Sequence, residues 1–403
     1  MKRFIVDVIE KTGGRLAGSP QEEAGQEMAR QAMGKFCHQV ETQRFSAPME
    51  SIHGSLRGFS AGFLAALALA PLSLTASFLV ALVNAFFFLG HFLSMRYWLD
   101  LLFKKSESSN VEGVIEPRED VRATVIFAGH MDSTTEYRFW HHLGMGGIAL
   151  TWLASVLILL LPAFLGLDLF FSRLAEAPLP VWLACYRTDF LLLSPSLAVL
   201  WWMRSDRVVP GAQDNLSGVA AALGAARVLA GAGEDWDAET VPAPVLSHTR
   251  VRVVSFGAEE AGLRGSHAYA REFKDRLLEE NAVLVNLDGI LRDKDLAIVK
   301  AEIMLGVRFP RQVVADLGRA FLGVSRLPKY TVIPQGATDG ASFTRAGIPA
   351  VSILGLPTSR LDPTYHSRRD TPEHVEDQAL ATTRDVLVQF AKNLDKRVSG
   401  KEE

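Results

Sequence analysis

The chain has 403 residues, a formal net charge of −3 and only two cysteines, Cys37 and Cys185. That charge balance excludes a basic nucleic-acid binder, and two distant cysteines without a CxxC exclude a disulfide framework or a thiolate zinc site and suit a reducing compartment. The length allows two or more compact domains, or one large domain with insertions.

The N-terminal MKRFIVDVIEKTGG carries charges every few residues and no apolar stretch, so it is not read as a signal peptide. Gly58 to Met95 then runs for 38 residues without Asp, Glu, Lys or Arg. A helix crosses a bilayer with about 20 apolar residues, so this run suits two crossings, turning at APLSLT (Ala70 to Thr75). A second uncharged run, Leu143 to Leu167, fits a third crossing. Phe190 to Met203 is a shorter candidate of 14 uncharged residues containing Pro195. It spans only if extended to about Tyr186, with Arg187 snorkelling to the interface. Arg57, Arg96, Lys104, Lys105, Arg138, Arg204 and Arg207 lie on the side of the polar segments, with Trp98, Trp140, Trp201 and Trp202 as an interfacial aromatic belt. Arg173 is the clear basic residue on the far side, with Arg187 near that interface. The positive-inside rule therefore expects a multi-pass chain of about four crossings with its polar segments in the cytoplasm. The competing reading of these runs is buried core helices or a large oligomer interface, and no residue pattern specifies an oligomeric state.

Two transmembrane hairpins, 58–95 and 143–203, leave the polar pieces 1–57, 96–142 and 204–403. VRATVIFAG (121–129), VRVVSFG (251–257), NAVLVNL (281–287) and IPAVSIL (348–354) read as strands apolar on both faces. Helical patterns lie between and after them: Leu216 to Leu229, Ser266 to Glu280, Pro310 to Leu322 and Glu376 to Leu394. Residues 231–249 read as a surface loop. The alternation predicts an α/β domain with a mostly parallel mixed sheet flanked by helices.

In such a sheet, ligands bind at the carboxyl ends of the strands. GHMDS follows the first strand with His130 and Asp132, and Glu259 and Glu260 follow the second. Asp288 follows the third, and the loop after the fourth leads to YHSRRDT with His366 and Asp370. GAQDNLSG places Asp214 ahead of a helix. Singly, each residue is equally a cap, a turn residue or a solvated strand end. Together, two imidazoles and several carboxylates without cysteine suit Zn2+, with Co2+ or Mn2+ as substitutes. Asp214, Glu260 and Asp288 set three negative charges against two dications, and a bridging hydroxide neutralises the remaining one. Two metals ~3.5–4 Å apart can hold such a hydroxide and polarise a carbonyl. His130 and Asp132 project to the same side of an extended backbone, so Asp132 can orient the imidazole. Of the adjacent glutamates, one can bind metal while the other moves a proton; spacing does not say which.

GHMDS, GAQDNLSG, GAEEAGLRGS, NLDG and YHSRRDT, in that order, resemble the bimetallic zinc aminopeptidases of metallopeptidase family 28. EKTGGRLAGSPQEE and GATDGASFTRAGIPAV are similar to that family as well. The resemblance covers nearly all of the polar sequence and neither hydrophobic insert. It implies that Asp214 bridges two Zn2+ ions, with His130 and Asp288 completing one site and Glu260 and His366 the other. It further implies Glu259 as general base and Asp132 as the carboxylate behind His130, with Asp370 supporting the His366 segment and Asp339 lining the substrate pocket. The expected activity is removal of N-terminal residues from peptides. A dipeptidase, a carboxypeptidase, a one-zinc glutaminyl cyclase, and a non-catalytic membrane receptor or scaffold share the fold and stay open; a transporter fits four crossings poorly. About 80 residues separate Asp132 from Asp214 where the resemblance implies a short loop. That insert carries the second hairpin, which places the site near the membrane surface and favours short or membrane-derived peptides.

Overall fold

The computed structural model describes residues 1–175, 177–233, 236–357 and 360–400, so part of the expected 231–249 loop lies outside the described residues. The chain begins with α1 (Lys2–Thr12), α2 (Pro20–Gly34), β1 (Gln39–Ala47), α3 (Ser51–Leu69) and α4 (Leu74–Phe87), the last continuing through a π-helical turn to Leu93. Next come β2 (Ser106–Ile115), β3 (Ala123–His130), β4 (Thr135–Tyr137), α5 (Arg138–Leu143) and α6 (Met145–Leu169). Three short helices follow, α7 (Val181–Ala184), α8 (Tyr186–Leu193) and α9 (Ala198–Trp201), then β5 (Arg204–Val208), α10 (Ser217–Leu229) and β6 (Thr249–Phe256). The remainder is α11 (Arg264–Glu272), α12 (Lys274–Glu279), β7 (Ala282–Asp288), β8 (Ala297–Glu302), β9 (Val307–Arg308), α13 (Arg311–Gly323), β10 (Tyr330–Ile333), α14 (Gly340–Ala346), β11 (Ala350–Leu354) and α15 (Asp377–Val398).

The chain divides into two compact units. The first comprises Met1–Met49, Lys105–Glu136 and Arg207–Glu403, and the second Glu50–Lys104 and Tyr137–Asp206. Among the described residues, nine strands of the first unit form one sheet in the order β1-β2-β6-β3-β7-β11-β8-β10, with β9 beside β8. β3 pairs in parallel with both β6 and β7, and β11 in parallel with β7. β1, β2 and β6 run antiparallel to their neighbours within that trio. The fold is therefore a mixed sheet with a parallel centre, flanked by helices.

Its central strands are buried along their whole length, as helices on both faces require. The alanine-rich α10, buried at nearly every position, packs with α15 over β3 and β6. Small side chains let that helix approach the sheet closely. α11 and α14 pack on each other, and Phe256, Tyr269 and Phe343 make the aromatic contacts among β6, α11 and α14. The expected helix from Ser266 to Glu280 is broken at Phe273 into α11 and α12.

The second unit holds three helices long and apolar enough to cross a membrane: Ser51–Leu69, Leu74–Leu93 and Met145–Arg173. Ser73 caps α4 by accepting the Ala76 amide. Between α3 and α4, Ser77 Oγ donates to Ala66 O (2.7 Å) and Asn84 Nδ2 to Phe59 O (3.0 Å). Gly62 makes room for Asn84, since a Cβ there would lie 2.4 Å from its Oδ1. Polar pairing and close approach at a glycine are how apolar helices associate where water cannot. The segment expected to hold a further crossing is a chain of short helical pieces from Val181 to Trp201. Within it Arg187 pairs with Asp168 at the end of α6, and Tyr186 donates to the same carboxylate at 2.7 Å.

Candidate metal centre

Three parallel strands deliver their carboxyl ends to one edge of the first unit. His130 is the last residue of β3 and Asp288 the last of β7, while Glu259 and Glu260 follow β6. Asp214 lies in the turn before α10, and His366 in the loop after β11. Gly129 is required where that turn docks: a Cβ there would sit 2.7 Å from the Val219 amide nitrogen at the start of α10. Asn215 fastens the turn to the end of β7, donating to Leu287 O at 2.7 Å and accepting from the Gly218 and Gly289 amides at 3.2 Å.

His130 Nδ1 lies 3.1 Å from the backbone oxygen of Asp132. A carbonyl only accepts, so Nδ1 carries a proton, and Nε2 is the nitrogen turned to the centre. Nε2 faces Asp214 Oδ1 at 3.2 Å and Glu259 Oε2 at 3.7 Å. His366 Nε2 faces Asp214 Oδ2 at 3.1 Å and Glu260 Oε1 at 3.3 Å. Asp214 thus turns one carboxylate oxygen to each imidazole. The side chains form two groups that share it: His130, Asp214 and Asp288, and Asp214, Glu260 and His366, with ligand atoms in each within 4.8 Å of one another.

The carboxylate of Asp132 does more than face His130 Nδ1 at 3.4 Å. Its Oδ1 and Oδ2 accept the Glu259 and Glu260 amides, both at 3.0 Å. Asp370, expected to support the His366 segment, instead accepts the Gln213 amide at 2.7 Å and the Asp214 amide at 3.2 Å. Asp339, expected to line a substrate pocket, is fully buried at the start of α14. Sequence reasoning misses Asn215, although an amide side chain directly after Asp214 is a signal of a locked turn.

Burial, reinforced by neighbouring acids, pushes Glu259 and Asp288 well above the usual carboxylate range. Burial also raises Asp214, but hydrogen bonds from His130 and His366 outweigh it and hold that carboxyl below its ordinary value. Burial lowers His366, yet Glu260 and Asp214 more than reverse this and carry it to about 10. The centre is short of positive charge. Its donor set of two imidazoles and three carboxylates, without thiolate, fits borderline dications such as zinc. Apart from His366 Nε2 at 3.3 Å, Glu260 Oε1 has no hydrogen-bond partner among the described residues, as suits an oxygen turned toward an ion. A further grouping, His248 with Glu119 and Asp120, lies at the opposite end of β3 and β6, and its acids are exposed.

This sheet, with acid–imidazole groups at the carboxyl ends of its parallel strands, defines the class: the fold is that of the zinc aminopeptidases. The structure of BSAP, a zinc aminopeptidase from Bacillus subtilis, aligns over 98% of this chain and 94% of its own, with a TM-score of 0.56 at 16% identity. Residues 198–391 match peptidase family M28. Aminopeptidase YwaD of Bacillus subtilis is 29% identical over 181 residues, 44% of this chain and 36% of that protein. The probable lipoprotein aminopeptidase LpqL of Mycobacterium tuberculosis is 28% identical over 196 residues, 42% of this chain and 37% of that protein. The chain spans between about a third and a half of the length of the curated relatives it matches. Over its C-terminal half the chain is similar to peptidase family M28.

Proposed function

We propose that the chain is a membrane-anchored, zinc-dependent aminopeptidase that removes N-terminal residues from peptides using two metal ions. The observation that carries this reading is Asp214, with one carboxylate oxygen toward each imidazole. In this reading His130, Asp214 and Asp288 hold one ion, and Asp214, Glu260 and His366 the other. When bound, zinc supplies Lewis acidity, polarising the scissile carbonyl and acidifying water. Glu259 belongs to neither group, which leaves its carboxylate free to take the proton of the attacking water and pass it to the leaving amine. Asp132 holds the backbone of both glutamates and sets the tautomer of His130. The His130 group, complete beside the His366 group, favours two ions over the single zinc of a cyclase.

The lipid bilayer is the second proposed partner. Beyond the three long apolar helices, α4 and its continuation leave Leu79, Leu82, Val83, Phe86 and Leu89 exposed. An apolar face of that extent is expensive in water and free of cost against lipid. The pieces from Val181 to Trp201 make the fourth crossing, with Arg187 neutralised by Asp168. The basic flanks put the first unit in the cytoplasm.

The test is hydrolysis of a panel of aminoacyl chromogenic amides by the detergent-purified protein, with N-acetylated controls and with and without a chelator. Chelator-sensitive cleavage of free-amine substrates alone is expected. Equal cleavage of the acetylated set, or no effect of the chelator, would overturn the assignment.

A further inference from the structure

The stretch GRLAGSPQE, Gly14 to Glu22, contributes no ligand to the centre, yet two of its side chains are buried against the loops that do. The Arg15 guanidinium spends its donors on backbone carbonyls. Nε donates to Met131 O at 2.8 Å, one terminal nitrogen to Gly13 O at 2.8 Å and Pro210 O at 2.9 Å, and the other to Gly211 O at 3.0 Å. Its amide donates to Ser133 Oγ at 2.9 Å, and its carbonyl accepts the Ser133 amide at 2.8 Å. One side chain therefore ties the loop of His130 and Asp132 to the turn that leads into Asp214. Gly211, at φ +65°, belongs to the same clasp, because a Cβ there would lie 2.8 Å from the guanidinium.

Glu22 holds the third loop. Its carboxylate accepts the Gly18 amide at 2.6 Å, Ser108 Oγ at 3.0 Å and the Ala258 amide at 2.7 Å. Ala258, at φ +52°, occupies a conformation that strains a non-glycine residue and persists only where its surroundings enforce it. The next two amides, of Glu259 and Glu260, end on Asp132. Three consecutive amides thus terminate on carboxylates, and the loop bearing Asp132 is itself gripped by Arg15. Burying a guanidinium and a carboxylate carries a desolvation cost that apolar residues of similar volume avoid. What apolar residues lack is a directed set of donors and acceptors.

We propose that Arg15 and Glu22 are positioning residues that set the geometry of the metal centre, Arg15 by fixing the loops of Asp132 and Asp214 and Glu22 by fixing the loop of Glu259 and Glu260. The proposal rests on the two-metal reading of that centre. Its test uses the full chain in detergent with Glu22→Gln and Arg15→Lys, which keep size or charge but not the bonding pattern. Co2+ is titrated into metal-free protein and followed by visible absorption, alongside kcat, KM and melting temperature. Partners behind a ligand shell are worth about 10- to 100-fold in metal affinity or activity. Each variant is expected to lose that much in Co2+ affinity or kcat, with a displaced Co2+ band and KM within ~3-fold of the parent. A folded Glu22→Gln protein with the parent's Co2+ spectrum, affinity and kcat, lowered only in melting temperature, would overturn the proposal. Glu22→Gln decides the matter if Arg15→Lys does not fold. A parent protein that binds Co2+ and cleaves no free-amine substrate would refute the aminopeptidase reading, while the Co2+ comparison still decides this one.

Discussion

The first unit holds a cluster of charge around buried Arg252 and Glu112 and another at the carboxyl edge of its sheet, and they are built on opposite plans. In one, the Arg252 guanidinium bonds both Glu112 and Glu280, Arg250 bonds Glu116 at 2.9 Å and Glu280 at 2.7 Å, and Arg276 lies 3.6 Å from Glu112. Arginines match glutamates one for one. Burial alone would raise Glu280, but the Arg252 hydrogen bond and charge hold it below its ordinary value. At the other cluster the ion pairs run between carboxylates and imidazoles, and burial pushes Glu259 and Asp288 up. The same cost of burial is met by guanidinium in one place and left unmet in the other. An acid cluster faced by imidazoles rather than guanidinium groups, at the carboxyl edge of a parallel sheet, can exchange the protons on those rings for charge supplied from outside the chain.

The sharpest way to break this comparison is at Glu259. Glu259→Gln is expected to lower kcat by about 100- to 10,000-fold with metal content unchanged, the scale of a lost general base. Loss of metal, measured by elemental analysis, would make Glu259 a ligand. On the balanced side, Arg252→Met removes the cation paired with buried Glu112, leaving Arg276 at 3.6 Å as its remaining guanidinium, while Glu280 keeps Arg250 at 2.7 Å. Removing one partner of a buried pair costs about 3–5 kcal/mol, so the melting temperature should fall steeply while the kcat of the surviving folded protein stays near that of the parent. A catalytic defect at full stability would couple the two clusters and undo the contrast.

Metal loading tests the unmatched side directly. Without metal, His366 sits near 10 and His130 well above its ordinary range, because the facing acids outweigh burial. Both are protonated at neutral pH, and a ligand imidazole must be neutral, so binding displaces protons. Apparent affinity therefore falls as the solution is acidified and rises with pH above neutrality. Calorimetry of Zn2+ binding in two buffers of different ionisation enthalpy should show net proton release at pH 7. Binding without proton release would contradict the charge deficit.

How much of this was legible in the sequence follows from the same physics. β3, β6, β7 and β11 stand out because both of their faces are buried in apolar neighbours, and Glu259, Glu260 and Asp288 stand out because each sits where such a strand ends. β1 and β2 do not. SESSNVEGVI is as buried as the core over most of its length, yet its polar groups are satisfied by residues far away in sequence, such as Gln26 on Ser109 O and Gln43 on Asn110. No local pattern encodes a partner. The same holds for Asp370, whose neighbours in sequence suggest the His366 segment and whose carboxylate holds the Asp214 turn instead. Arg15 and Glu22 show as part of a motif, but their contacts belong to loops more than a hundred residues further on.

A single buried acid that belongs to neither cluster isolates what burial does by itself. Glu302, at the end of β8, accepts Thr338 Oγ1 at 2.6 Å and the Thr338 amide at 3.3 Å. Burial is the main influence, the Thr338 hydrogen bonds oppose it, and the carboxyl rises from 4.5 to about 8. The folded state then binds the proton more tightly than the unfolded chain. Between those two values the folded form carries more protons, so the stability contributed at this site is present at low pH and declines as pH climbs toward 8. Glu302→Gln cannot ionise and should escape that decline. Its melting temperature relative to the parent should rise across pH 5 to 8, by the equivalent of a few kcal/mol at most. The amide nitrogen placed against the Thr338 donors adds a constant loss at every pH, which is why the slope, and not the absolute stability, carries the test. A parallel pair of pH profiles would mean that Glu302 stays ionised when buried, and that burial alone does not raise an acid in this fold.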